Sequence, residues 1–316
     1  SCEACHGAAE AHVNHYQSPI KRYAKLFNDE SINAEHIINP VKLDHKLSSQ
    51  ICGQCHGVYI YKDASKGMSY ARSGPMYKPG DNIHEHRYFI QHPGSLDNKV
   101  NSDELENNRG FFRERWWDDG TILAGGREFT AMRVSACYTN EKKGLRNISC
   151  LDCHSMHHSD PKDQLRRDIN GNQSCVQCHD EAQYTTEIKL HTHHEENSSG
   201  SSCLNCHMPH TSYALLGALR SHQIQSPSAL RSIKYGVPNA CNLCHLDKTL
   251  EWTQGYLNKR YNHELSPLTD DQKNISAWIL WMLKGDAAQR AIAAWHGSWE
   301  PAKIVSGTEG AAPYLI

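Results

Sequence analysis

Six times along the chain, two cysteines stand three residues apart with a histidine directly behind the second: Cys2 to His6, Cys52 to His56, Cys150 to His154, Cys175 to His179, Cys203 to His207 and Cys241 to His245. These motifs use twelve of the 13 cysteines and leave only Cys137. A helical turn carries residues three and four apart on one face, so each motif presents two thiols and an imidazole together. Covalent haem attachment needs that set, because both thiols add to the vinyl groups and the imidazole reaches the iron. Zinc ribbons, disulfides and redox dithiols also pair cysteines, but none needs a histidine after every pair. The expectation is six haem c groups, attached through Cys2, Cys5, Cys52, Cys55, Cys150, Cys153, Cys175, Cys178, Cys203, Cys206, Cys241 and Cys244. His6, His56, His154, His179, His207 and His245 would be the proximal iron ligands.

A cofactor-rich interior also explains the composition. With a mean hydropathy of −0.68 and five phenylalanines in 316 residues, the side chains supply little for an ordinary core. Each macrocycle would add a large apolar face, and folding is expected to require the haems. The net charge of −2 gives no nucleic-acid footprint. No run of 18 or more apolar residues occurs, so no membrane-spanning helix is expected. The sequence opens on Ser1-Cys2 without a charged and apolar leader, which leaves any export signal removed or outside it. Thioether attachment follows export, so the expected location is the periplasm or the cell surface.

Of the 22 histidines, those outside the motifs are the pool of distal ligands. Methionine competes and would raise the potential, and Met156 and Met208 lie beside motif loops, but mostly bis-histidine iron at low potential is the expectation. His157 follows His154 by three residues and cannot cross a porphyrin to the same iron. It must serve a neighbouring haem or do something else, and the same holds for His12 after His6 and His210 after His207. His12, His157, His222 and His210, with at least one of His193 and His194, are the distal candidates, and His86 is the sixth choice. His191 reads as a hydrogen-bonding neighbour. His15, His36, His45, His263 and His296 read as surface or supporting groups.

The fold class expected is mostly α and irregular, a multihaem cytochrome c with short helices around stacked haems. Trp116 to Ile122 reads as one short β-hairpin. Residues 1–247 would form the hexahaem domain and 248–316 a C-terminal α-helical segment. There one helix is expected from about Lys248 to Tyr261. A second opens on the Thr269 to Gln272 capping box, carries Ile275, Trp278, Ile279 and Met282 on one face, and stops near Gly285. A third runs from Asp286 to about His296. That apolar face either packs on the haem core or recruits a partner. Cys137 reads as a buried thiol, with iron ligation or an intermolecular disulfide as the alternatives.

Glu3-Ala-Cys-His-Gly7 with His12, Val134-Ser-Ala-Cys-Tyr138, Cys150-Leu-Asp-Cys-His-Ser-Met-His157, Cys203-Leu-Asn-Cys-His-Met-Pro209 and Pro238-Asn-Ala-Cys-Asn-Leu-Cys-His-Leu-Asp-Lys248 resemble a family of exported bacterial multihaem c-type cytochromes. In that family the haem segment is often followed by HEAT-like or tetratricopeptide repeats, and Asp286 to Trp295 resembles the start of such repeats. Relatives usually carry haem motifs upstream and repeats downstream of the matching segments, so the sequence is either a shorter member or a portion of a longer polypeptide. The resemblance implies electron transfer and names no substrate.

Three functions follow as expectations. One is an electron conduit through six closely spaced haems, whose partners are redox proteins or neighbouring copies, as far as an extracellular filament or other homo-oligomer. The second is an oxidoreductase of nitrite, hydroxylamine or sulfur oxyanions with one open iron. The absence of a Cys-x-x-Cys-Lys motif weighs against it, so no catalytic residue is assigned and the carrier reading is preferred to an enzyme. The third is a scaffold working through the C-terminal helices.

Overall fold

The computed structural model describes residues 2–27, 37–74, 76–93, 107–140, 147–157, 163–169 and 171–308. His36 and His158 lie outside the described residues. The chain is mostly helical and irregular, as expected, with short helices separated by turns. Among the described residues, strand is confined to two antiparallel pairs of three-residue strands, Tyr59–Tyr61 with Arg87–Phe89 and Ser212–Ala214 with Gly217–Leu219. The hairpin expected at Trp116 to Ile122 is instead a turn closed by one antiparallel bridge between those two residues. Trp116 joins Val58, Ile90, Phe112 and Ile122, while Trp117 joins Leu243, Leu246 and Trp278 and donates its indole N–H to Thr211 O at 3.1 Å.

The helix His45–His56 organises the first half. Asp44 caps it, accepting from the N–H groups of Lys46 and Leu47 at 2.9 and 3.2 Å, which satisfies donors that the first turn leaves unpaired. Its last turn is the second motif, and Ile51 packs with Tyr77, Ile83, Phe89, Phe129, Met132 and Tyr138. Gly53 is needed for that approach, since a Cβ there would stand 2.5 Å from the Phe129 ring.

Four further helices, besides Leu250–Tyr261, build the C-terminal segment. The Thr269 capping box forms, with reciprocal bonds to Gln272, but its helix ends at Asn274. Ile275 is extended, Ser276 bridges to Thr249, and Ser276 then caps a new helix, Ala277–Lys284. The helix expected to run unbroken to Gly285 is therefore two, because the bridge takes the backbone that would have continued it. Asp286 caps Ala287–Ser298 with a second box, and Glu300–Ser306 follows.

The apolar face of these helices is buried. Trp278, Ile279, Trp281, Ile292, Ala293 and Ala302 share one core with Val237, Leu243, Leu246 and Leu250, burial worth roughly 1.5–3 kcal/mol for each large side chain. Polar bonds fix the same contact. Buried Asn242, inside the sixth motif, donates to Lys248 O at 2.9 Å and accepts from Thr253 Oγ1 at 2.6 Å. Ser306 donates to Cys244 O at 3.0 Å and accepts from the N–H of Leu246 at 2.9 Å. No helix among the described residues is long and apolar enough to cross a membrane.

Candidate haem sites

Each motif folds as the helical turn its chemistry requires. The N–H of His6, His154, His179 and His245 donates to the carbonyl of its own first cysteine at 2.7–3.0 Å. His56 ends the helix His45–His56 and His207 ends Cys203–His207. No disulfide joins any of the thirteen cysteines.

The motifs are tied to one another by hydrogen bonds. Gln54, the residue before Cys55, donates to Ala4 O of the first motif at 2.7 Å and to Ile51 O at 2.8 Å. Gln177, the residue before Cys178, does the same to Asp152 O of the third motif at 3.4 Å and to Ser174 O at 2.9 Å. The first and second motifs, and the third and fourth, are thus joined by the same clasp. Asn172, just before the fourth motif, accepts from the N–H of Cys203 at 2.9 Å and so brings in the fifth.

Four motif histidines face a second histidine. His6 and His157 have ring centroids 5.8 Å apart at an interplanar angle of 18°. The values are 6.2 Å and 23° for His154 with His222, 6.1 Å and 5° for His207 with His191, and 6.1 Å and 33° for His245 with His194. Two imidazoles bound through Nε2 to opposite sides of one metal ion at roughly 2 Å each have centroids roughly 6 Å apart.

The other ring nitrogen supports the same use. The Nδ1 atoms of His6, His154 and His207 face Ile38 O at 2.6 Å, Asp163 O at 3.1 Å and Gln225 O at 3.0 Å. Those of His194 and His222 face Thr192 O at 2.6 Å and Arg220 O at 3.2 Å. A carbonyl only accepts, so Nδ1 carries the proton and the Nε2 lone pair is left for a metal. Burial also pushes His191, His207, His222 and His245 below the ordinary imidazole range, keeping them in the neutral form a ligand needs.

The remaining candidates stand elsewhere. His12 lies against Tyr16, with centroids 4.7 Å apart. His193, at the left-handed cap of the helix Ile188–Thr192, faces Tyr261 at 5.5 Å. His210 is enclosed by Trp295, Trp299 and His296 at 5.0–5.8 Å. His86 closes a turn, with its Nδ1 buried and unbonded. His191, read from sequence as a neighbour, is the residue brought opposite His207. Its signal was the spacing: His191 and His194 stand three apart, like His154 and His157. Trp116 and Trp117 are core residues.

His56 differs from the other motif histidines in its partner, the Glu128 carboxylate at 2.6 Å. That bond raises His56 above the ordinary imidazole range. Burial alone would raise Glu128, but the His56 bond and backbone N–H groups hold its carboxyl at about 2.

Two protein families match the chain. The doubled CXXCH motif family covers residues 143–184, which hold the third and fourth motifs and their Gln177 clasp, and the cytochrome c552 family covers residues 187–294. No curated protein and no solved structure matches. With these matches beside the motif turns, the chain is a multihaem c-type cytochrome. Its activity is electron transfer through haem c.

Proposed function

We propose that the chain holds six haem c groups, one at each motif, and passes electrons among them outside the cytoplasm. The observation that carries this reading is the set of four histidine pairs at 5.8–6.2 Å, each joining a motif histidine to one from elsewhere in the chain. His6 with His157, His154 with His222, His207 with His191 and His245 with His194 would hold four irons from both sides. His56 and His179 would be the proximal ligands of the other two, and His12, His86, His193 and His210 remain their candidate partners. When bound, iron porphyrin supplies one-electron oxidation and reduction.

The residues of the chain set the order of contact. His154 and His157 lie on one loop and serve the third and first motifs, while His191 and His194 lie on one turn and serve the fifth and sixth. Gln54 and Gln177 hold the intervening motifs in pairs. Carbonyl acceptors on Nδ1 keep five imidazoles in the ligand tautomer without adding charge. The C-terminal helices would close one side of the sixth site, with 248–316 as a supporting segment for 1–247.

Electron paramagnetic resonance of the oxidised protein tests the reading: low-spin ferric signals at the four paired sites are expected, and a spectrum dominated by high-spin iron would contradict it. A single high-spin component would favour the reductase reading for the site that gives it. A cytochrome c552 match and thioether chemistry support a periplasmic or surface location. Assembly into filaments is tested by electron microscopy of native material, where isolated particles alone would remove it.

A further inference from the structure

The second motif is closed differently from three of its neighbours. His6, His154 and His207 donate Nδ1–H to backbone carbonyls at 2.6–3.1 Å, whereas His56 donates to Glu128 Oε2 at 2.6 Å. Glu128 is held in place on several sides. Its Oε1 accepts the N–H of Gly126 at 2.8 Å, and it opens the helix Glu128–Met132. The next two residues of that helix fasten it to the second motif: Phe129 packs on Gly53, and Thr130 Oγ1 accepts the N–H of Val58 at 2.8 Å.

A carboxylate draws the Nδ1 proton more strongly than a carbonyl does, and this makes the far nitrogen of the ring a stronger donor. Stronger donation and a nearby negative charge both favour ferric over ferrous iron. We propose that Glu128 is a positioning residue that, acting through His56, gives the haem at Cys52 and Cys55 a lower potential than the haems at the first, third and fifth motifs. The proposal rests on the reading of the second motif as a haem site. The step it governs takes one electron from a neighbouring haem and turns ferric iron ferrous, while the proton stays between His56 Nδ1 and Glu128. Among those four sites, this one would be the last to fill and the first to empty.

The test uses the full chain, matured with haem, as wild type, Glu128→Gln and Glu128→Asp. Peptide mass spectrometry first asks whether Cys52 and Cys55 of the wild type carry a haem; a bare peptide contradicts the functional reading, and this proposal falls with it. With haem present, spectroelectrochemical titration is expected to show one component moved to higher potential in Glu128→Gln and moved less in Glu128→Asp, with the other components unmoved. Should the Gln variant take up fewer haems, the Asp variant alone decides, by the same direction of shift. An unchanged titration, a downward shift, or a displacement of all components together overturns the role of Glu128.

Discussion

His157 follows His154 by three residues, yet its ring stands 5.8 Å from that of His6, at the other end of the first segment of the chain. His154 itself faces His222. One short loop therefore contributes to two sites, and a change in it is felt at both. The variant His157→Ala should keep its full haem count while one low-spin component of the ferric spectrum becomes high-spin. An unchanged spectrum would remove His157 from the ligand set.

Gly200 lies where a side chain cannot. A Cβ there would overlap the His194 ring, with His194 Cβ at 2.9 Å. Gly200→Ala should push that ring away from His245 and convert the sixth-motif signal, with the first-motif signal unaffected. Loss of both signals, or of neither, would contradict this geometry.

The glutamine clasps should matter for stability more than for ligation. Gln177→Leu removes bonds to Asp152 O and Ser174 O, each worth about 0.5–1.5 kcal/mol net. In a chain of this size the melting temperature should fall by roughly 2–4 °C per kcal/mol. The Soret spectrum should stay constant, and calorimetry on haem-matched samples checks both.

Trp278 shares a core with Leu243 of the sixth motif, buried to 4 % exposure, and its indole N–H holds it to Ala293 O of the next helix at 2.7 Å. Trp278→Ala should cost about 3–5 kcal/mol and make Glu300 to Ser306 sensitive to protease. Limited proteolysis reads this out, and full resistance would contradict the shared core.

His296 gives a pH dependence. Burial is the main cause that lowers it from 6.5 to about 4, so the folded state keeps it neutral where the unfolded chain would protonate. Its contribution is complete above pH 6.5, declines as pH falls through that window, and is gone below about 4, on the order of 3 kcal/mol in all. Denaturant titrations of wild type and His296→Gln should converge in pH dependence only if another group causes the loss.

Much of this site is legible from sequence because its chemistry is local. The six motif turns depend on residues within five positions of one another, and so does the capping box of Thr269 and Gln272. That His157 cannot reach the iron of His154 followed from its distance to His154 alone. The partner of each distal histidine is set by the fold, so the spacing of His191 and His194 marks a candidate pair without naming the motif histidine that each faces. The left-handed backbone at His193 turns its ring toward Tyr261 and leaves its two neighbours facing motif histidines. The single bridge at Ser276 broke a helix that periodicity alone would have continued, for the same reason: its partner, Thr249, is distant in sequence.

The central claim is tested most directly by the intact mass of the chain purified from a host competent in haem attachment, followed by thiol alkylation. The account predicts the polypeptide plus six haems, with Cys137 as the one alkylated cysteine. A smaller number of haems, or alkylation at any of the twelve motif cysteines, would contradict it.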